Sequence, residues 1–284
     1  LANQINILIS TIDEGINKLN KVILDPKENV KYIVSHQFTD EKFRETPAFL
    51  KRNDIWVSQI PGKGVTKSRN NAIRLADGDI GLFADDDVTY RDNYFNTLNR
   101  VFEENPDLDV ALFKIKTGQG EPDYKSYPNE IVIYEKAPSV GTVEMGFRIK
   151  KIKENDIYFD ERFGAGQELL IGADESIFVQ DCINAGLSVI FFPEYIVEHP
   201  YESTSKNISK YDKRKIWVTG GYDCRNNGSI ALVKAFWGTL KILPDLLKHK
   251  MNPFMYFYHR FSAVIYILKT NSKYPKSQWK REKS

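Results

Sequence analysis

Five short apolar runs in the first 116 residues, each separated from the next by a segment of helical character, set the fold class. They are INILIS (5–10), VKYIVS (30–35), DIWVSQI (54–60), DIGLFA (79–84) and DVALFKI (109–115). Their Ile, Val, Leu and Phe content reads as β-strand. Helical patterns fall between them, around 14–23, 41–51, 67–77 and 92–104. Thr66 is expected to cap the third helix, Asp77-Gly78 to end it, and the fourth should stop before Pro106. Such alternation predicts an α/β fold, a mostly parallel sheet flanked by helices on both faces. Ligands of such sheets bind at the carboxyl ends of the strands.

The fourth run leads straight into Asp85, Asp86 and Asp87. Three adjacent carboxylates repel one another, and at a buried strand end that repulsion is poorly screened. Open solvent, a helix N-terminus or a bound cation would offset it. A hard divalent cation takes carboxylate oxygens and keeps water or phosphate as further ligands. An acidic turn capping the helix at 92–104 would also account for the triplet, and the triplet alone does not choose.

The stretch from about 116 to 170 is irregular, with GQGEPDYKSYP and FGAGQELLIG. FGAG (163–166) suits either close backbone approach to a ligand or a simple turn. DESIFVQDCINAG (174–186) predicts a helix closed by Gly186, and LSVIFFP (187–193) a further strand. Beyond residue 200 the composition changes. Residues 1–200 carry 23 Lys and Arg against 33 Asp and Glu, whereas residues 201–284 carry 17 against 5. That asymmetry separates an acidic body over 1–200 from a basic, mostly helical extension over 201–284. The extension would meet an anionic partner or dock on the acidic body. Its two helical stretches, 229–250 with a break at Pro244 and 254–269, are each interrupted too often to span a bilayer. They suit either a bilayer interface or an added helical layer. No nucleic-acid reading motif accompanies the basic residues, so nucleic acid is not expected as a partner. Two cysteines, Cys182 and Cys224, give neither a disulfide framework nor metal-type spacing. With no leader apparent, a cytoplasmic setting is expected, with peripheral contact at the inner membrane face.

The order of these features carries a resemblance. GKGVTKSRNNAIRLADGDIGLFADDD (62–87) places a glycine-bearing loop, a helix with Arg69-Asn70, an ADGDI turn and an acidic strand end in succession. It resembles the donor-binding half of the family 2 glycosyltransferases, nucleotide-sugar enzymes of the GT-A fold. Asp85-Asp86-Asp87 fill that family's D-x-D positions, and Thr66 stands where Ser is frequent. GADESIF (172–178) resembles the later acidic pair that opens a helix and supplies the catalytic base. Here the order is Asp174-Glu175, so Glu175 is assigned as base with Asp174 in reserve. His199, in YIVEHP, stands where several members place a further metal ligand, although a lone histidine is also a common structural residue. ILISTID, with Thr11 and Asp13, resembles the first strand and nucleotide-contacting turn, and Gln37 ends the second strand near the expected base. The likeness covers about residues 5–200.

The resemblance implies a metal-dependent, inverting transfer of a sugar from a nucleoside-diphosphate donor, UDP by the family's habit, to a hydroxyl of a glycan or lipid-linked acceptor. Mn²⁺ or Mg²⁺ would be held by Asp87, Asp85 and His199, and the donor by Thr11, Asp13, Gln37, Arg69, Asn70, Asp85 and Asp86. A nucleotidyltransferase would need a basic, glycine-rich loop near the first strand, where this chain reads STIDEGINKLN. A non-catalytic nucleotide-sugar or glycan-binding protein on the same scaffold is the other alternative.

Overall fold

The computed structural model describes residues 2–201 and 208–271. The basic residues of 272–284, part of the predicted extension, lie outside the described residues. Among the described residues eight strands form one mixed sheet: β1 (Ile5–Ile12), β2 (Val30–Phe38), β3 (Ile55–Pro61), β4 (Ile80–Asp85), β5 (Val110–Lys116), β6 (Val132–Ile133), β7 (Met145–Arg148) and β8 (Val189–Glu198). Their spatial order is β3-β2-β1-β4-β7-β5-β8-β6. The β3-β2-β1-β4 block is parallel, as is the β5–β8 pair. Antiparallel β7 joins the two halves, pairing with β4 on one side and β5 on the other.

All five N-terminal strands stand where the apolar runs predict them. Helices α1 (Val65–Leu75) and α2 (Asp92–Glu104) follow β3 and β4, and α3 (Ile149–Glu154) and α4 (Asp174–Asn184) occupy the second half. Two apolar clusters pack on opposite faces of the sheet. One includes Ile7, Ile9, Leu82, Leu98 and Phe113, the other Leu8, Phe83, Phe147, Phe159 and Phe178. Adjacent residues of β1 and of β4 thus point to opposite cores, which is why these strands read as unbroken apolar runs.

Three local expectations need correction. The predicted helix at 41–51 is two 3₁₀ turns, Glu41–Phe43 and Ala48–Leu50, because Pro47 intervenes and cannot continue a helix. The segment predicted at 14–23 is a 3₁₀ helix, Asp13–Lys21. Thr66 does not cap α1. Gly64, at φ +124°, precedes the helix, and Thr66 lies inside it, donating from Oγ1 to the Phe163 carbonyl at 3.0 Å.

Among the described residues the C-terminal part holds four helices rather than two: α5 (Lys213–Asn227), α6 (Ala231–Lys241), α7 (Leu243–Lys248) and α8 (Pro253–Thr270). The break before Pro244 divides α6 from α7 as predicted. These helices pack on the sheet domain through Phe163, Leu170, Ile177, Cys224, Ala231, Val264 and Ile267. A buried ionic network reinforces the junction. Arg162 Nε donates to Asp160 at 2.8 Å, Arg225 Nε donates to the same carboxylate at 3.2 Å, and Arg225 Nη2 donates to Asp181 at 2.6 Å. Burial pushes the Asp181 carboxyl up to about 6 against the opposing pull of Arg225. Such a network contributes mainly through the large cost of breaking it.

Candidate active site

Strand register brings the first group of residues together. Ser10 of β1 lies beside Asp85 of β4, Thr11 beside His36, and Ile12 beside Gln37. Thr11, Gln37 and the acidic triplet therefore share the carboxyl edge of the sheet. Asp13 turns the chain out of β1 at φ +49°, an uncommon conformation for a non-glycine residue. Its carboxylate is used to hold that turn, accepting from Thr39 N at 2.7 Å and Thr39 Oγ1 at 2.9 Å. Its carbonyl meets His36 Nε2 at 3.1 Å. The Gln37 side-chain amide nitrogen is buried and has no hydrogen-bond partner among the described residues.

The three aspartates of the triplet resolve their repulsion by facing three different elements. Asp85 accepts from Arg69 Nη2 at 3.1 Å, Asp86 accepts from Thr11 Oγ1 at 2.6 Å, and Asp87 Oδ1 lies 3.4 Å from His199 Nε2. Burial raises the Asp86 carboxyl above the ordinary range, and the bond from Thr11 opposes that rise. The hydrogen bond with His199 is the main cause holding Asp87 below its ordinary value. Gly15 lies so close beneath Asp86 that any Cβ there would collide with Asp86 Oδ2 and Thr11 Oγ1. Gly15 thus lets the 3₁₀ turn close over the carboxyl edge of the sheet, a role that no local signal in the sequence points to.

His199 reaches Asp87 because of how β8 ends. Glu198 bridges to Thr89, two residues past the triplet, and His199 N donates to the Lys116 carbonyl at 3.0 Å. The His199 Nδ1 atom meets the Pro200 carbonyl at 2.6 Å, so Nε2 is the nitrogen presented to Asp87. Burial lowers the affinity of His199 for a proton, but Asp87 and the Pro200 carbonyl outweigh it, and its pKa is raised.

On the other side, Arg69 links the triplet to the later acidic pair. This guanidinium, only 5 % exposed, donates from Nη1 to Asp174 at 2.7 Å and lies 3.6 Å from Glu175 Oε1, while Nη2 holds Asp85. Asp174 opens α4 after Ala173, whose φ of +70° places the turn in the left-handed region. Burial raises the Asp174 carboxyl well above its ordinary range, Glu175 adds to the rise, and Arg69 opposes it. Glu175 is the more accessible of the two, 23 % against 3 % for the side chains, and accepts from Thr142 Oγ1 at 2.8 Å. FGAG closes this side as a packing loop. Gly164, at φ +103°, leaves room for Val65 and Asp174, and Ala165 O accepts from Val65 N at 3.0 Å.

One predicted donor contact is placed elsewhere. Asn70 is fully buried, donates to Phe159 O at 2.9 Å and Glu161 Oε1 at 3.0 Å, and accepts from Phe159 N at 2.8 Å. Both ends of its amide are spent on clamping α1 to the 159–161 segment. Residues that the sequence did not mark include Thr142, which orients Glu175, and beside it the buried Glu144, joined to the half-buried Lys125 at 2.6 Å. Burial raises Glu144 to about 7 despite Lys125.

The donor set suits a hard cation shared with a ligand. Among the described residues no three His, Cys, Asp or Glu side chains are grouped to hold a metal ion, so the predicted Asp87, Asp85 and His199 do not form a three-ligand site, Asp85 facing Arg69 instead. Magnesium commonly uses one or two carboxylates and completes its shell with water and substrate phosphate. Neighbouring ligands of an octahedral ion with bonds of about 2.1 Å stand about 3.0 Å apart, close to the 3.4 Å between Asp87 Oδ1 and His199 Nε2.

Comparison with known proteins bears on the family and the fold. A family model described as Glycosyl transferase family 2 matches residues 23–166. The chain is 29 % identical over 175 residues to poly(ribitol-phosphate) beta-N-acetylglucosaminyltransferase TarS of Staphylococcus aureus, strains Mu50 and MW2. That match covers 56 % of this chain and 29 % of the relative, so the chain spans less than a third of the curated relatives' length. Among solved structures, S. aureus TarS 1–349 with UDP aligns over 96 % of this chain and 73 % of its own, at TM-score 0.52 and 18 % identity. The same protein with UDP-GlcNAc aligns over 96 % and 74 %, at TM-score 0.53 and 16 % identity. At those identities the likeness is one of fold, and it matches the sheet and flanking helices described above.

Proposed function

The chain belongs to glycosyl transferase family 2, and on that premise we propose that it moves a sugar from a UDP-linked donor to a hydroxyl of a glycan or lipid-linked acceptor, inverting the anomeric centre. The observation that carries this reading is the Arg69 bridge, which joins the acidic end of β4 to the acidic start of α4. A donor-side and an acceptor-side carboxylate are thereby held within one hydrogen-bonded cluster. The TarS structures with UDP and UDP-GlcNAc support the choice of nucleotide.

The nucleoside half of the donor is assigned to the edge formed by Thr11, Asp13, Gln37 and Asp86. The unpartnered Gln37 amide offers a donor to a base carbonyl, and burying that group without a partner is costly. Asp87 and His199 would hold Mn²⁺ or Mg²⁺. When bound, such an ion supplies Lewis-acid stabilisation of the charge that builds on the departing diphosphate. Glu175 takes the acceptor proton: it is the accessible member of its pair, and Thr142 fixes one of its oxygens. Asp174, locked on Arg69, positions α4 and its neighbour. A single base with no second carboxylate as nucleophile implies direct displacement.

A panel of nucleotide sugars, assayed with Mn²⁺ for release of nucleoside diphosphate, tests the reading. Turnover confined to one UDP-sugar is expected. Absence of donor-dependent release and of donor binding across the panel would overturn it.

A further inference from the structure

The C-terminal helices bury one face against the sheet domain and leave another open. On α6 the open face carries Val233, Phe236, Trp237 and Leu240, at 56, 49, 64 and 43 % exposure. The i, i+3, i+4, i+7 spacing puts all four on one side of the helix. On α8, Phe254, Tyr258 and Phe261 follow the same periodicity, at 83, 59 and 38 %. The two faces are continuous. Phe236 contacts Phe257 edge-on with ring centres 6.3 Å apart, and Phe257 meets Phe261 at 5.7 Å. Leu247 of α7 adds a further exposed side chain. Isolated exposed apolar residues need no explanation, but a contiguous aromatic surface across two helices does.

Basic residues predominate around this surface. Between residues 229 and 271 the chain carries Lys234, Lys241, Lys248, Lys250, Arg260 and Lys269 against a single acid, Asp245. All five lysines are exposed, whereas Arg260 is buried and paired with Asp223. No described helix is long and apolar enough to cross a membrane. Apolar and aromatic side chains interleaved with lysine, on helices too short to span, have the chemistry of a surface seated at the headgroup level.

We infer that the α6–α8 face docks on an anionic lipid bilayer, with Trp237, Phe236, Phe254 and Leu247 entering the interface and Lys234, Lys241 and Lys248 meeting the headgroups. Charge complementarity selects this occupant over a second copy of the chain, since two copies would bring like-charged lysines together. The same helical unit is tied to the catalytic side. Gly221 of α5 packs on Phe163 and Leu170, and Phe163 directly precedes the Gly164 that flanks Asp174. Docking would therefore fix the orientation of the site relative to the membrane, without depending on which sugar is transferred.

Flotation of the full chain with vesicles provides the test, using phosphatidylcholine alone and phosphatidylcholine with 30 mol % phosphatidylglycerol. Binding is expected only to the anionic vesicles, and raising the salt should weaken it. Each lysine near such a surface strengthens binding about five-fold, so K234Q/K241Q/K248Q should weaken it about a hundred-fold. W237S/F254S should reduce it at unchanged salt dependence. These side chains are exposed and outside the catalytic cluster, so calorimetric UDP binding should be unchanged in both variants and reports separately on the transferase reading. Equal binding to neutral vesicles, or none to anionic vesicles at low salt, would overturn the inference. So would self-association that W237S/F254S abolishes while vesicle binding is absent, since the face would then be a protein interface.

Discussion

Replacing Arg69 by Met should expose the energetic cost of the acidic cluster. The substitution keeps an unbranched side chain over Phe159, 5.5 Å from the guanidinium in the native chain, but removes the only cation hydrogen-bonded to Asp174 among the described residues. Both partners are within a few per cent of complete burial, so solvent screens the pair little. Breaking a buried pair by removing one member costs about 3–5 kcal/mol. With a urea slope of about 3 kcal/mol/M for a chain of this size, the midpoint should fall by about 1–1.7 M. The penalty should depend on pH. Asp174 already has its folded-state pKa raised, by burial and by Glu175, and loss of Arg69 raises it further. A carboxyl raised on folding imposes no penalty below its unfolded pKa, near 4, and destabilises increasingly as pH rises toward the folded value. The R69M deficit should thus be larger at pH 8 than at pH 5. R69M/D174N should recover about 1–3 kcal/mol relative to the sum of the single changes. Urea titrations monitored by circular dichroism provide the four stabilities at each pH. Additive effects, or a deficit unchanged between pH 5 and pH 8, would refute the argument that Arg69 neutralises a buried carboxylate.

Glu175→Gln should lower kcat by about 10²–10⁴-fold while leaving donor affinity near normal, and stopped assays of nucleoside diphosphate release would show this. Near-normal turnover would transfer the proton-accepting role to Asp174. Gly15→Ala should force Asp86 from Thr11 and weaken UDP binding about 10- to 150-fold, the equivalent of one buried hydrogen bond to a charged group; unchanged calorimetric affinity would separate Asp86 from the nucleotide. Asn70→Ala should lower stability by about 1–3 kcal/mol with little change in UDP affinity, because its three bonds run to Phe159 and Glu161. A selective loss of UDP affinity would return Asn70 to the donor surface.

The N-terminal half was legible because its strands are buried on both faces, so Ile, Val, Leu and Phe mark them without interruption. Strand β7 was not. Its four residues, Met145–Arg148, are too short for a pattern, and Gly146 sits where Leu98 leaves no room for a side chain. Helix α5 was missed for a related reason. Gly220 and Gly221 weaken any local helical signal, yet their bareness lets the helix approach Arg260 and Ala263 of α8 on one side and Phe163 and Leu170 on the other. The site divides similarly. The acidic triplet, the Asp174-Glu175 pair and His199 were marked by residue type and order. That Arg69 serves those acids as their common counter-charge depends on contacts between residues 105 positions apart, which no local pattern carries. The same holds for Thr142 beneath Glu175 and for Gly15 beneath Asp86.

The most direct test of the account is calorimetric titration of UDP into the native chain and Asp87→Ala, each with and without Mn²⁺. The native chain should bind UDP at least ten-fold more tightly with Mn²⁺, and Asp87→Ala should lose that difference while retaining the metal-free affinity. An Asp87→Ala variant that kept the full Mn²⁺ enhancement would contradict the assignment of the β4 edge as the place where cation and diphosphate meet.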